Sequence, residues 1–166
     1  MTIEIIDMNY EKVIKDIIKK TKMPFFSESE FQIYLATQLA NKLGKGYKIE
    51  LEKKIGNKYR IDIAIFHKDT PICYIETKYK LKVEITRPKQ IKNACPIICN
   101  RSNIISTEIF QRDIEKLSNI EKETGEKVKH KLVVFITSKK IEEFTLEKLE
   151  NIIKDKPLFY YVKKIN

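Results

Sequence analysis

The sequence predicts a single α/β domain, with amphipathic helices covering a sheet whose inner strands are buried on both faces. Three observations carry that expectation. Segments with apolar residues at helical spacing are interleaved with short runs rich in Ile, Val, Tyr and Phe, which read as strands. Two neighbouring runs, Arg60–Phe66 and Ile72–Lys78, are apolar on both faces. Ile61, Ile63, Ile65 and Ile75 point one way, and Ala64, Phe66, Ile72 and Tyr74 the other, as a central, covered hairpin requires. The third observation is the continuous apolar run Leu132-Val133-Val134-Phe135-Ile136, expected inside a sheet.

Taken in order, residues 9 to 21 form an amphipathic helix, with Val13, Ile14, Ile17 and Ile18 on one face and lysines elsewhere. Ser27-Glu28-Ser29-Glu30 opens a second helix, which runs to about Leu43 and stops at Gly44 and Gly46. Strands follow near 47–55, 59–66 and 72–79, the last two joined through the breakers Asp69, Thr70 and Pro71. A helix from about Thr107 to Glu123 keeps Phe110, Ile114, Leu117 and Ile120 in register, with Gly125 just beyond it. His130 to Thr137 is the next strand. Thr145 caps a helix carrying Leu146, Leu149, Ile152 and Ile153, and Leu158 to Val162 is a last strand. Residues 82 to 106 fit no element; Pro88 and Pro96 break them, and Arg87, Lys89, Lys92 and Arg101 make them basic.

Composition narrows the function. A chain of 166 residues is one domain with room for a real core. No stretch has the length of a membrane span, and Lys12, Lys15, Lys19 and Lys20 interrupt the apolar residues that a signal peptide would need, so a cytoplasmic protein is expected. Lys plus Arg (33) exceed Asp plus Glu (23), a formal charge of +10 that favours a polyanionic partner, nucleic acid first. A Lys- and Ile-rich proteome would produce the same excess. The three cysteines read as buried thiols: Cys95 and Cys99 have half the spacing of a zinc site, but no second ligand pair accompanies them.

The hairpin holds the chemistry. If Phe66 faces Ile72, counting outward puts Asp62 opposite Glu76, and Lys78 joins Glu76 on the same strand face. Charges so placed are costly on a half-buried strand and call for a reason. Oxygen ligands from Asp62 and Glu76 suit a hard cation such as magnesium or manganese, which activates phosphoryl oxygens and water. A nearby amine can orient that water or offset charge on the phosphorane. The plain alternative is a solvated strand face with a cross-strand salt bridge to Lys78.

Ile61-Asp62 followed by Glu76-Thr77-Lys78 resembles the signature of the PD-(D/E)xK nuclease superfamily, the restriction-endonuclease-like fold, with Ile61 where a proline often stands. The order of elements over about 27–137 is similar to its αβββαβ core, with one helix added in front and a helix-strand unit behind. The resemblance implies a mixed central sheet flanked by helices and a magnesium-dependent endonuclease, with Mn2+ as substitute. It places the metal on Asp62 and Glu76, helped by the Thr77 carbonyl, and gives Lys78 the attacking water. It favours DNA over RNA as the nucleic-acid partner. Cutting both strands with one domain usually takes a dimer, so a homodimer is an open alternative, although the sequence has no dimer signature. Lys80, Arg87, Gln111 and Arg112 are candidate nucleic-acid contacts, the last two within a Gln111-Arg112-Asp113 cluster similar to substrate-steadying residues of some members.

Members of this superfamily often bring an acid from the first core helix, and here two glutamates compete. Ser27-x-x-Glu30 is a capping box that occupies Glu30. Glu28 lies about 20° out of line with Leu35 and shares a stripe with Phe31, Leu35 and Leu39, so it is the expected inward acid. Gln32 follows one turn later on a neighbouring edge. Two other functions fit the same sequence: a non-catalytic nucleic-acid-binding module of this fold, and a protein-interaction domain whose charges form a structural ion network.

Overall fold

A computed structural model of the chain describes residues 9–21, 25, 27–80, 107–138 and 159–165. Its elements run α1 (Tyr10–Lys20), α2 (Glu28–Leu43), β1 (Tyr47–Ile55), β2 (Tyr59–His67), β3 (Thr70–Lys80), α3 (Thr107–Thr124), β4 (His130–Ser138) and β5 (Phe159–Ile165). The expected Thr145-capped helix, the basic segment 82–106 with Arg87, and Cys95 and Cys99 lie outside the described residues. None of the described helices is long and apolar enough to cross a membrane.

Local chemistry sets the helix ends. Asn9 Oδ1 accepts the Lys12 N–H at 2.9 Å and Ser27 Oγ accepts the Glu30 N–H at 3.1 Å, each satisfying an amide that has no partner in the first turn. Gly44, at φ 74°, ends α2 in a conformation that a side chain would resist.

The five strands form one mixed sheet in the order β1-β2-β3-β4-β5. β1, β2 and β3 are antiparallel neighbours, whereas β3–β4 and β4–β5 are parallel. Short turns suffice for the antiparallel pairs. The parallel β3–β4 pair needs a long crossover, and α3 lies within it. On one face, Ile14, Ile18, Phe31, Leu35 and Leu39 of α1 and α2 bury Ile63, Ile65, Ile75 and Val134. On the other, Ile114, Leu117 and Ile120 of α3 cover Ala64, Phe66, Tyr74 and Val133. Each such fully buried aliphatic side chain contributes about 1.5–3 kcal/mol. The inner strands are therefore apolar on both sides because both sides are roofed.

Two irregularities correct the expected arrangement, one in register and one in the alternation of faces. The β2–β3 connection is a two-residue turn, Lys68 and Asp69 at φ 48° and 63°, between the paired residues His67 and Thr70. Two positive-φ residues match the strand twist, and Asp tolerates that region even without a glycine. Phe66 consequently pairs with Pro71 and not with Ile72. The register then shifts, and Ile65↔Cys73, Ala64↔Tyr74 and Ile63↔Ile75 follow. Ile72 is the extra residue, and it packs with the α1/α2 core instead of the charged face. Pro71 has no N–H to give to a ladder, which suits it to this position.

The second irregularity is Glu52, at φ 50°, which leaves a gap between the pairs Leu51↔Ile63 and Lys53↔Ile61. Beyond the gap the alternation changes, and Ile61 packs with Ile55 in the α3 core and not beside Ile63.

Candidate active site

The β2–β3 ladder stops at Ile63↔Ile75, but β3 continues to Lys80 with β4 alone beside it. One step further in the same register puts Asp62 opposite Glu76. From that point no strand among the described residues takes the backbone amides on the β2 side of β3, and such groups need acceptors. Two carboxylates supply them. Asp62 Oδ2 accepts the Thr77 N–H at 2.8 Å, and Glu28 Oε2, from the first turn of α2, accepts the Tyr79 N–H at 3.0 Å. The acids gather here because the sheet is open here.

A hydrogen-bond chain fixes Asp62. Gln32 Nε2 donates to Thr77 Oγ1 at 2.9 Å, and the Thr77 hydroxyl donates to Asp62 Oδ2 at 3.0 Å. Gln32 and Thr77 are both buried, so neither can turn to water instead. The residue one turn after Glu28 thus serves the site through Thr77.

Glu76 is 1% exposed. Its Oε1 lies 3.4 Å from the Asp62 amide nitrogen, and its Oε2 accepts from Lys116 Nζ at 2.6 Å. Lys116 also donates to the Arg60 carbonyl at 2.9 Å and lies 3.9 Å from Asp113 Oδ1. Lys78 Nζ sits 3.1 Å from Asp113 Oδ2 and 3.6 Å from Glu28 Oε1. Asp113 Oδ2 is buried and, despite that short ion pair, makes no well-directed hydrogen bond.

The electrostatics follow from burial and crowding. Burial, then the Asp62 carboxylate, push Glu76 up to about 8 in spite of the adjacent Lys116 ammonium. Burial likewise raises Asp113, with Lys78 and Lys116 pulling the other way. Burial alone would lower Lys78, but the carboxylates of Asp113, Glu28 and Asp62 outweigh it and hold the amine charged. Among the described residues, four acids (Glu28, Asp62, Glu76, Asp113) face two ammonium groups (Lys78, Lys116), a formal surplus of two negative charges when all the acids are ionised.

A divalent cation would balance that surplus. Among the described residues no three His, Cys, Asp or Glu side chains are grouped as metal ligands. Magnesium, however, commonly takes one or two carboxylates and keeps several waters, so the all-oxygen pair Asp62 and Glu76 fits it.

The other sequence candidates are placed as follows. Glu30 is exposed, while Glu28 reaches β3. Gln111 and Arg112 are exposed on α3, where Gln111 donates to Glu115 at 2.8 Å. Lys80 ends β3, paired with Thr137, and Arg87 is outside the described residues. Of the Gln111-Arg112-Asp113 cluster it is Asp113 that enters the site. Lys116 was not legible as a site residue. One signal pointed to it: Asp113, Lys116, Leu117 and Ile120 fall at i, i+3, i+4 and i+7, so both charges edge the apolar stripe of α3.

No family model, no curated protein and no solved structure matches this chain.

Proposed function

We propose that this chain is a magnesium- or manganese-dependent nuclease of the PD-(D/E)xK type, hydrolysing phosphodiester bonds in nucleic acid, DNA ahead of RNA. The observation that carries the reading is the convergence of Asp62 and Glu76 where β2 leaves β3, with Lys78 two residues further along. Hydrolysis joins a water oxygen to phosphorus and breaks the ester P–O bond, with the protons passing to the leaving oxygen and to solvent. Asp62 and Glu76 would hold the cation, and Thr77 and Gln32 keep Asp62 in place. When bound, the cation would supply Lewis-acid activation of a phosphoryl oxygen and of water. Lys78 offers a fixed positive charge to orient the attacking water and offset charge developing at phosphorus. Glu28 holds Lys78 and the end of β3. The chain's formal +10 favours a polyanion throughout.

The test is an assay of purified protein with magnesium or manganese on duplex, single-stranded and branched DNA and on RNA. Cleavage that needs the metal and is lost in Asp62→Ala supports the reading. Equal, metal-independent cleavage in wild type and mutant overturns it.

One observation favours a second reading, a structural ion network without catalysis: Lys116 already gives Glu76 a counter-charge at 2.6 Å. Titration with manganese separates the two, because an ion network is indifferent to the metal.

A further inference from the structure

Among the described residues Lys78 and Lys116 are the two cations of the site, and they stand in different relations to the acids. Lys78 is held by Asp113 and Glu28, neither of which is a ligand in the reading above. Lys116 is held by Glu76 itself. Its ammonium sits among three oxygens, Glu76 Oε2 at 2.6 Å, the Arg60 carbonyl at 2.9 Å and Asp113 Oδ1 at 3.9 Å. An all-oxygen shell of two carboxylates and a carbonyl is the surrounding a hard cation takes.

We propose that the Lys116 ammonium is a resident counter-ion of Glu76, occupying cation space that a divalent metal takes over, so that metal binding at Asp62 and Glu76 releases Lys116 toward solvent. The proposal rests on the metal-dependent reading and adds a residue that the reading does not use.

Three features carry it. Both Glu76 oxygens are engaged, Oε1 toward the Asp62 amide and Oε2 by Lys116. A metal taking the second lone pair of Oε2 would stand directly beside the Lys116 ammonium. Two like charges on one buried carboxylate oxygen repel strongly where water is scarce. And Lys116 has somewhere to go: its side chain is 21% exposed and its four-carbon stem can carry the ammonium to water while the stem stays packed on α3. Lys78 keeps both its acidic partners when Glu76 is taken, and stays. One amine leaves and the other remains, so Glu76 has a counter-charge without metal and the site keeps its working lysine with metal.

The experiment has two arms. In wild-type protein, amine acylation read by mass spectrometry is compared without metal and with saturating Mn2+. Lys116 labelling should rise with Mn2+ while Lys78 labelling stays level; Lys116 labelling that is unchanged or falls overturns the proposal. In the second arm Mn2+ is titrated by calorimetry into wild type, Lys116→Met and Asp62→Ala. Methionine keeps the packed stem and removes the competing charge, so Lys116→Met should bind Mn2+ roughly tenfold more tightly. Binding that is equal or weaker in Lys116→Met overturns the proposal. If wild type binds Mn2+ and Asp62→Ala does not, the metal reading stands whichever way Lys116 falls. Absence of Mn2+ binding in both wild type and Lys116→Met sinks the two together.

Discussion

Asp62 Oδ2 accepts both the backbone N–H and the hydroxyl of Thr77, at 2.8 and 3.0 Å, where a neighbouring strand would otherwise have met β3. A single carboxylate oxygen therefore does the work of a strand and leaves the other oxygen, Oδ1, outside this pair of bonds. The stability of the sheet's open end and the orientation of the proposed ligand are the same interaction.

Thr77→Val tests that link. The swap keeps the shape and removes the hydroxyl, leaving the Gln32 amide and Asp62 short of a partner in a buried place. It should cost about 1–3 kcal/mol in urea denaturation. Thr77→Ser, which retains the hydroxyl, should recover most of the loss. Equal destabilisation by both would mean that the methyl group and not the hydrogen-bond chain matters.

Asp62→Ala and Lys78→Ala should divide the chemistry. The first should abolish Mn2+ binding and cleavage together, because a site with so few protein ligands tolerates no loss. The second should leave Mn2+ affinity nearly unchanged while lowering turnover by about 10²–10³-fold, since the amine acts on water and developing charge. Nucleic-acid affinity should survive both and fall steeply with salt, as expected of dispersed lysines. Calorimetry, single-turnover cleavage and filter binding read the three quantities.

The metal-free protein should lose stability as pH rises. Glu76 is pushed from 4.5 up to about 8, so between those values the folded protein holds a proton that the unfolded chain has released. The contribution is complete below pH 4.5 and disappears as pH climbs through 8, with a slope of at most about 1.4 kcal/mol per pH unit. Asp113, also raised, acts in the same direction. Urea denaturation in EDTA at several pH values should show Glu76→Gln gaining on wild type as pH rises. Parallel pH curves for the two proteins would contradict this placement of the charge.

Glu28→Gln and Glu30→Gln should differ sharply in activity and little in stability. The glutamine amide oxygen can still accept the Tyr79 N–H, but the charge opposite Lys78 is gone. That pair is partly exposed, so the stability cost should stay below about 1 kcal/mol. Turnover should drop in Glu28→Gln and hold in Glu30→Gln. A drop confined to Glu30→Gln would move the helix acid by two residues.

Most of the fold was legible because its signals are local. The Ser27 cap, the glycine after Leu43 and the period of Ile114, Leu117 and Ile120 each mark an element from within a few residues. The faces of Ile61 and Ile72 were not legible. They depend on a gap at Glu52 and an extra residue in β3, and both arise from how two strands meet. Asp113 and Lys116 were hidden for a related reason: only the crossover through α3 brings them to Glu76, 40 positions from Lys116 in sequence. Glu28 was legible because its stripe with Phe31, Leu35 and Leu39 lies in one helix.

The additional residue at Ile72 works like a frame correction in a coded message. The turn pairs His67 with Thr70, and that phase carried along the strands would set Asp62 against Ile75 and Glu76 against Ile61. Each acid would then face an isoleucine, and the two acids would lie on opposite sides of the sheet. Leaving Ile72 outside the ladder restores the phase, and the two acids answer each other. Deleting Ile72, or adding one residue to β2 opposite it, would give a regular ladder with Asp62 still opposite Glu76, whereas drawing Ile72 itself into the ladder against Ile65 would part the two acids. For this hairpin, what brings the acids together is that Ile72 stays outside the ladder, not the length of either strand.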